Sequence, residues 1–339
     1  MKKNKKRITV LLLVLLLLVV TGVGVASMIY KYTNRDFVYE KLEDGTLELS
    51  EYRGTSKIVN IPERVWGRKV TRIGIICFRK NYMGKEGGLN GFQVYIPDTV
   101  TEIGDGAFRE CKSLTITGAK NVEKIGVGAF FGCEFVEPYP FSDKLKWIDY
   151  EAFFYAENVG ELTFPDTLEF IGRGAFGDSD VEKVQFPKSQ FCIEPYAFEN
   201  TPWLEQQSTP AIIGRNTLIK YPVGKVTVTP EGVDTISSSI KVNNHRDEEI
   251  KEFYVSRGVK TIMSPMVRVA YSEIKIYIPA TVTDIVENTH SNRKGIVEYG
   301  MEDVTLIVEK DSYAEAYAKK MKEEYGSQYE IVDQIEYPE

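Results

Sequence analysis

The sequence is poor in the residues on which most enzyme chemistry depends. It has two histidines, His245 and His290, both in polar stretches, and four cysteines, Cys77, Cys111, Cys133 and Cys192. No Cys-x-x-Cys occurs, which argues against a zinc site. A Cys-His nucleophile would need Cys192 beside one of the histidines, and nothing in the spacing suggests it. Gly84 to Gly91 is glycine-rich but carries no Gly-Lys-Ser/Thr, so it reads as a flexible insertion and not a phosphate loop. The acidic pairs Glu248-Glu249 and Glu323-Glu324 read as solvated surface; a glycosidase would need two carboxylates facing each other across a cleft. No catalytic residue, metal ligand or cofactor is expected.

An excess of positive charge is also missing. The formal net charge is -7, and residues 1–7 hold five of the 42 basic side chains. Residues 8–30 hold no charge, leaving 37 basic against 49 acidic side chains beyond residue 30, a net of -12. Nucleic-acid binding needs clustered Lys and Arg, so this balance argues against nucleic acid as the main partner. With 43% hydrophobic and 27% charged residues, wholesale disorder is excluded as well.

Long apolar runs are confined to residues 8–30, preceded by Lys2, Lys3, Lys5, Lys6 and Arg7. At ~1.5 Å per residue such a run spans the ~30 Å hydrocarbon core. The reading preferred is a transmembrane signal anchor with residues 1–7 in the cytoplasm. A cleaved signal peptide ending at Gly24-Val25-Ala26 is the rival. No cysteine near the end of the run suggests lipidation, and no second apolar run follows before Glu339. Both readings export residues 31–339.

What is present is a repeat. Ile96-Pro97-Asp98-Thr99-Val100-Thr101-Glu102-Ile103-Gly104-Asp105-Gly106-Ala107-Phe108 is its clearest copy. Its end returns as Ile125 to Phe130, Ile148 to Phe153, Ile171 to Phe176 and Ile193 to Phe198, with a weaker earlier copy at Ile73 to Phe78. The phenylalanines at 78, 108, 130, 153, 176 and 198 are 30, 22, 23, 23 and 22 residues apart. A nearly fixed period of this size marks a solenoid. Leu114-Thr115-Ile116, Leu162-Thr163-Phe164 and Val184-Gln185-Phe186 alternate as half-buried strands. Pro97, Pro165 and Pro187, which lack an N–H, end the ladder there. Gly104, Gly126 and Gly172 are expected to permit tight turns, and the phenylalanines to stack inside the coil. Cys111 and Cys133 share one repeat position, three residues after their phenylalanines. A ladder of buried thiols is preferred there, with a disulfide as the alternative in an exported chain. Cys77 and Cys192 read as core fillers.

The pattern Ile-Pro-x-x-Val-x-x-Ile-Gly-x-x-Ala-Phe-x-x-Cys-x-x-Leu, met almost in full from Ile96 to Leu114, resembles the BspA-like (Treponema-type) leucine-rich repeat. The likeness covers residues 61–204 well and 211–332 loosely. It implies a strand-rich α/β-type repeat solenoid and the class of surface-exposed binding modules of bacteria and some protists, without naming a ligand.

The organisation expected is therefore a link and N-terminal cap at 31–60, a repeat array at 61–204, a second, degenerate array at 205–303 and a C-terminal cap at 304–339. Asp44-Gly45 between alternating segments signals the hairpin of the first cap. A second hairpin is expected at Ile212 to Tyr221. Ser312 and Glu315 form a capping box, Tyr313, Tyr317, Met321 and Tyr325 line one helical face, and Gly326 stops the helix. The break near 205–210 reads either as a domain boundary or as a changed coil within one continuous body, the latter preferred.

The candidate binding site is the outward strand face: Tyr95, Thr115, Glu137, Thr163, Gln185, Tyr254, Lys275 and Tyr277. Tyrosine anchors on a continuous sheet would suit a surface protein or a glycan, and replacing Tyr95, Tyr254 and Tyr277 together is expected to abolish binding. The chain is accordingly expected to be a non-catalytic recognition or adhesion module outside the cytoplasmic membrane. A structural spacer, or more remotely a hydrolase with an unrecognised site, is the alternative.

Overall fold

The structure is a computed structural model. It describes residues 36–78, 90–189, 191–214, 216–221, 225–237, 240–241, 251–264, 266–269, 273–287 and 304–338. The basic segment 1–7, the apolar run 8–30 with its cleavage site and the glycine-rich stretch up to residue 89 lie outside the described residues. Among the described residues no helix is long and apolar enough to cross a membrane.

The chain winds as a solenoid, one repeat per coil. Its longest sheet has nine strands and runs on the Ile-Gly side of the coils. The hairpin Phe37–Lys41 and Leu47–Tyr52 opens it in antiparallel fashion. Arg68–Ile73, Glu102–Ile103, Lys124–Ile125, Trp147–Ile148, Phe170–Ile171 and Cys192–Ile193 then follow in parallel. Leu49, Ile73, Ile103, Ile125, Ile148, Ile171 and Ile193 form one buried column, because every second side chain of a strand points the same way.

The sheet expected to be continuous is the broken one. It comprises Ile58–Asn60, Gln93–Ile96 and Thr115–Gly118, and then, separately, Leu162–Thr163 with Val184–Gln185. The coil between them runs Glu134-Phe135-Val136-Glu137-Pro138-Tyr139-Pro140. Two prolines within three residues remove the donors a ladder needs there, and single bridges at Leu114–Phe135 and Glu134–Glu157 are the pairing that remains.

Inside, the phenylalanines stack as expected. Ring centroids lie 4.6 Å apart for Phe78–Phe108, 5.1 Å for Phe108–Phe130, 5.0 Å for Phe130–Phe153, 5.2 Å for Phe153–Phe176 and 5.1 Å for Phe176–Phe198, with interplanar angles of 4–17°. All six are buried. Trp203, on the short helix Pro202–Gln206, closes the stack edge-on, 4.9 Å from Phe198. All four cysteines are free thiols. Cys111 and Cys133 are buried, Cys133 Sγ lies 2.9 Å from the Phe108 carbonyl oxygen, and burial pushes its thiol well up. Cys192 is not a core filler: it lies exposed on the outward side of its strand, because Ile193 takes the inward position.

The repeat glycines act differently from expectation. Gly104 and Gly172 are needed for coil-to-coil approach: a Cβ at Gly104 would lie 2.7 Å from the Ile73 carbonyl oxygen, and one at Gly172 2.7 Å from the Asp149 backbone. The turn conformation falls instead two residues before each phenylalanine, where Ile76, Gly106, Gly128, Glu151, Gly174 and Tyr196 all have φ between 49° and 65°. A β-branched residue is the worst of these occupants, and Ile76 is 44% exposed, so packing returns little. We expect Ile76→Gly to raise stability by about 1 kcal/mol, measured as a shifted urea midpoint at unchanged slope.

Beyond Trp203 the core changes character. The expected hairpin forms from Ala211–Ile213 and Thr217–Lys220, and Leu218, Ile236, Ile262 and Ile285 continue an inward column on strands now parallel. A mainly aliphatic core, with Phe253 edge-on to Tyr221, replaces the phenylalanine stack. The two arrays are tied together. Lys220 Nζ donates to the carbonyls of Leu204, Glu205 and Gln207 at 2.9, 3.2 and 3.0 Å, and the Ser237 hydroxyl donates to the Ile193 carbonyl. On the opposite side Val226–Val228, Glu252–Tyr254, Ile274–Ile278, Val304–Glu309 and Gln328–Val332 form a parallel sheet.

The C-terminal helix Tyr313–Tyr325 starts at Ser312, whose hydroxyl accepts from the Glu315 N–H at 3.0 Å, and ends at Gly326 with φ 73°. Tyr313 and Tyr325 are exposed while Tyr317 and Met321 are buried with Ala314 and Ala318. A four-residue step advances ~400° around a helix of 3.6 residues per turn, so a stripe at that spacing drifts off the packed face at both ends.

Candidate functional site

The expected site residues do not form one surface. Tyr95 is 39% exposed, but its register partners are Asn60 and Thr117, whereas Thr115 pairs with Gln93. Glu137 is exposed yet belongs to no strand, for the proline reason given above. Thr163 and Gln185 do lie side by side and exposed. Lys275 shares a column with Glu252 and Thr305, and Tyr277 with Tyr254 and Ile307.

Tyr254 is the clearest departure: it is 7% exposed. Its ring stacks on Tyr277 at 4.0 Å and 5°, its hydroxyl lies 2.9 Å from Glu252 Oε2, and burial leads the causes that push its proton affinity up. The segment after the last strand covers it. The Tyr337 ring lies 5.9 Å from Tyr254, and its hydroxyl donates to the Val255 carbonyl at 2.8 Å. Ile335 is buried behind it, with its N–H on Glu309 Oε1 at 2.9 Å. The triple replacement of Tyr95, Tyr254 and Tyr277 would therefore disturb packing as well as surface.

A different surface gathers aromatic and cationic groups. Arg109, Phe131 and Phe154, each the residue after a core phenylalanine, lie half-buried in one row along the outside of the solenoid. There the Arg109 guanidinium sits 3.7 Å over the Phe131 ring, and Phe131 stacks on Phe154 at 5.6 Å. Phe154 rests on Gly177, where a Cβ would lie 2.7 Å from its ring. Tyr155 stands edge-on to both rings, at 6.0 and 4.5 Å, and is 54% exposed. Its φ is 55°, at a repeat position where the other coils carry Glu110, Gly132, Asp178 and Asn200, also left-handed. Asn, Asp and Gly suit that conformation; a tyrosine there is strained without compensating burial. The sequence signal was Phe130-Phe131 followed by Phe153-Phe154-Tyr155, doubled aromatics of which one alone is needed for the core stack.

A family model for the BspA type leucine rich repeat region matches six copies over residues 89–205. Residues 89–205 are similar to that repeat. The BspA-type match begins after the coil of Phe78 and ends at the short helix Pro202–Gln206, so the aromatic ridge lies wholly within it. Among solved structures, a leucine rich cell surface protein from Faecalibacterium prausnitzii A2-165 is similar at 22% identity, covering 78% of this chain and 93% of its own, with a TM-score of 0.45. The pneumococcal vaccine antigen PcpA is similar at 15% identity, covering 88% and 97%, with a TM-score of 0.38. A leucine-rich repeat protein from Bacteroides ovatus ATCC 8483 stands at 15%, 88%, 98% and 0.36. No curated protein matches.

Ion pairs run along the outward side of the long sheet. Arg72 binds Glu102 at 2.6 Å and reaches Glu48 at 3.5 Å, Lys124 reaches Glu102 at 3.6 Å, and Lys146 binds Glu123 at 2.7 Å. Next along the outward column of the long sheet, Trp147 stacks on Phe170 at 4.1 Å. Glu309 and Glu315 hold their protons less firmly than ordinary carboxylates. Burial pushes Glu309 up, and the N–H groups of Ile335 and Ala280, with Arg257, outweigh it; Glu315 is held down by Lys319 and the Asp311 N–H. Both serve caps and strand ends. Among the described residues no group of three or more His, Cys, Asp or Glu side chains could hold a metal ion; His245, His290, Glu248 and Glu249 lie outside the described residues.

Proposed function

We propose that the chain is a non-catalytic recognition module of a bacterial cell envelope. In this reading residues 31–339 lie outside the cytoplasmic membrane, are held there by the run 8–30, and bind another surface protein or a glycan. The observation that carries the proposal is the ridge of Arg109, Phe131, Phe154 and Tyr155. Tyrosine and arginine are enriched in binding hot spots, and Tyr155 keeps an exposed ring in a left-handed conformation that costs about 1 kcal/mol.

The test is a binding screen of residues 35–339 against envelope extract, host matrix proteins and a glycan array. We expect Tyr155→Ala to weaken the partner found by about tenfold or more, the scale of a hot-spot residue, with the fold intact by circular dichroism. Loss on replacing Tyr95, Thr163 and Gln185, with none at Tyr155, would move the site to the strand face. A second reading, a spacer without a ligand, is favoured by the internal pairing of charges along the long sheet. Silence of folded protein in all three arms of the screen would establish it.

A further inference from the structure

The first coil carries another exposed aromatic residue in a left-handed position. Arg64–Val65 and Arg68–Ile73 form a small antiparallel hairpin that branches off the long sheet, with Arg64 opposite Lys69 and Val65 opposite Arg68. Its two-residue loop is Trp66-Gly67, at φ 53° and 75°. Such a loop calls for Asn, Asp or Gly at both positions. Trp66 instead exposes 55% of its surface and touches Tyr39 edge-on at 6.2 Å. A Cβ on the neighbouring Gly67 would meet nothing within 4 Å. Arg64, Arg68 and Lys69 are exposed around it. Their backbone contacts, Arg64 to the Gly67 carbonyl at 2.9 Å and Arg68 to the Gly45 carbonyl at 2.7 Å, leave most of each guanidinium available. The same coil exposes Ile58 on its strand side and Ile75 and Ile76 on its turn.

The position of this hairpin matters as much as its chemistry. Tyr39 belongs to the first strand of the solenoid, and five residues, 31–35, separate Asp36 from the end of the uncharged run 8–30. An extended link of that length reaches at most ~20 Å. Wherever the run lies, the hairpin end of the solenoid is close to it. The geometry points to a lipid bilayer surface as the occupant of this end: the hairpin 64–69 docks on the membrane, with Trp66 at headgroup depth and Arg64, Arg68 and Lys69 toward lipid phosphates.

The inference rests on the anchored reading given above, and the charges explain why it must. Glu40, Glu43, Asp44 and Glu63 are exposed nearby and offset the cations Lys41, Arg64, Arg68 and Lys69. The four acidic and four basic side chains balance, so the patch has no net attraction to anionic lipid and is a second contact beside an anchor, not a targeting element on its own. Docking would fix how the solenoid stands on the membrane and hence where the ridge at Tyr155 faces.

The experiment uses the full chain in phosphatidylcholine/phosphatidylglycerol vesicles, with bromine on the acyl carbons nearest the headgroup. There are three tryptophans, Trp66, Trp147 and Trp203. Flotation reports the anchor; quenching of tryptophan emission reports docking. We expect the floated chain to lose up to about a third of its emission, the share of one tryptophan in three. Trp66→Gly should abolish that loss and leave the melting temperature unchanged or higher, because glycine suits the left-handed position. Trp147→Phe should keep the loss. Flotation with unquenched emission overturns docking while leaving the anchor intact. So does a Trp66 signal that is shielded but unquenched, which would assign the tip to a contact with a second copy of the chain. A chain that does not float overturns the anchored reading and the docking with it.

Discussion

Phe153→Ala is expected to destabilise the chain by about 3–5 kcal/mol. Phe153 is fully buried between Phe130 and Phe176, at centroid distances of 5.0 and 5.2 Å. Tyr139 and Phe141 close on it from the side at 5.4 and 5.3 Å. The transfer term for the lost ring is part of the effect; the rest is the cavity. Collapse into it is hindered, because the coils above and below are tied by backbone bonds, Phe130 N–H to Ala152 O at 2.7 Å and Phe153 N–H to Ala175 O at 2.7 Å. A gap in the stack cannot close without breaking them. Phe153→Leu keeps most of the volume and should cost far less. Urea unfolding of both variants checks the claim, and a Phe153→Ala midpoint equal to that of the parent would remove the stack from the account of stability. Each repeat touches its two neighbours, so a loss at the middle coil separates the array into two weaker halves.

The stack, the proline stops, both hairpins and the C-terminal strand–helix–strand were legible because each rests on local chemistry. A phenylalanine every 22 or 23 residues, an Asp-Gly turn or a Ser-x-x-Glu cap needs no distant partner to be recognised. The candidate site was less legible, for three different reasons. Pro138 and Pro140 were visible in the sequence, and the donor count alone would have predicted the gap in the strand face at Glu137. The glycine roles were not visible: a glycine required by a backbone 2.7 Å away looks the same in sequence as one required by a turn. The burial of Tyr254 was beyond local reasoning, because its cover, Tyr337, is 83 residues further along the chain. Alternation placed Tyr254 on the outward side correctly, yet outward on a strand does not mean exposed when a later segment returns across it. The ridge and the Trp66 hairpin share a signal that sequence holds only in part. Each holds an exposed aromatic residue in a left-handed position, Tyr155 in one and Trp66 in the other, recognisable once the backbone is known.

That returning segment rests on Glu309, and Glu309→Gln is the second large effect expected. The carboxylate is 4% exposed. Its Oε1 accepts from the Ile335 N–H at 2.9 Å and from Arg257 at 2.8 Å, and its Oε2 accepts from the Ala280 N–H at 2.8 Å. Three donors therefore converge on one ionised group from three parts of the chain. Glutamine keeps the shape but offers one acceptor oxygen, so one backbone N–H meets an amide NH2 and Arg257 loses its counter-charge. At about 1.5–3 kcal/mol for a hydrogen bond to a charged group and about 1–3 for a buried donor left unmet, a loss of about 3 kcal/mol is expected, with early amide exchange at Ile335 and renewed exposure of Tyr254 as its local signs. The same site sets a pH dependence. The folded carboxyl binds its proton less readily than in the unfolded chain, where it titrates near the ordinary 4.5. Its contribution is therefore complete above that value and is lost as pH falls through the lower folded value, when the unfolded chain takes up the proton first. Acid should release the strap before it unwinds the phenylalanine stack, whose contacts carry no proton. A protection factor at Ile335 that drops below about pH 4.5, while that of Phe153 is kept, is the expected result; simultaneous loss of both would show that Glu309 does not hold the strap separately.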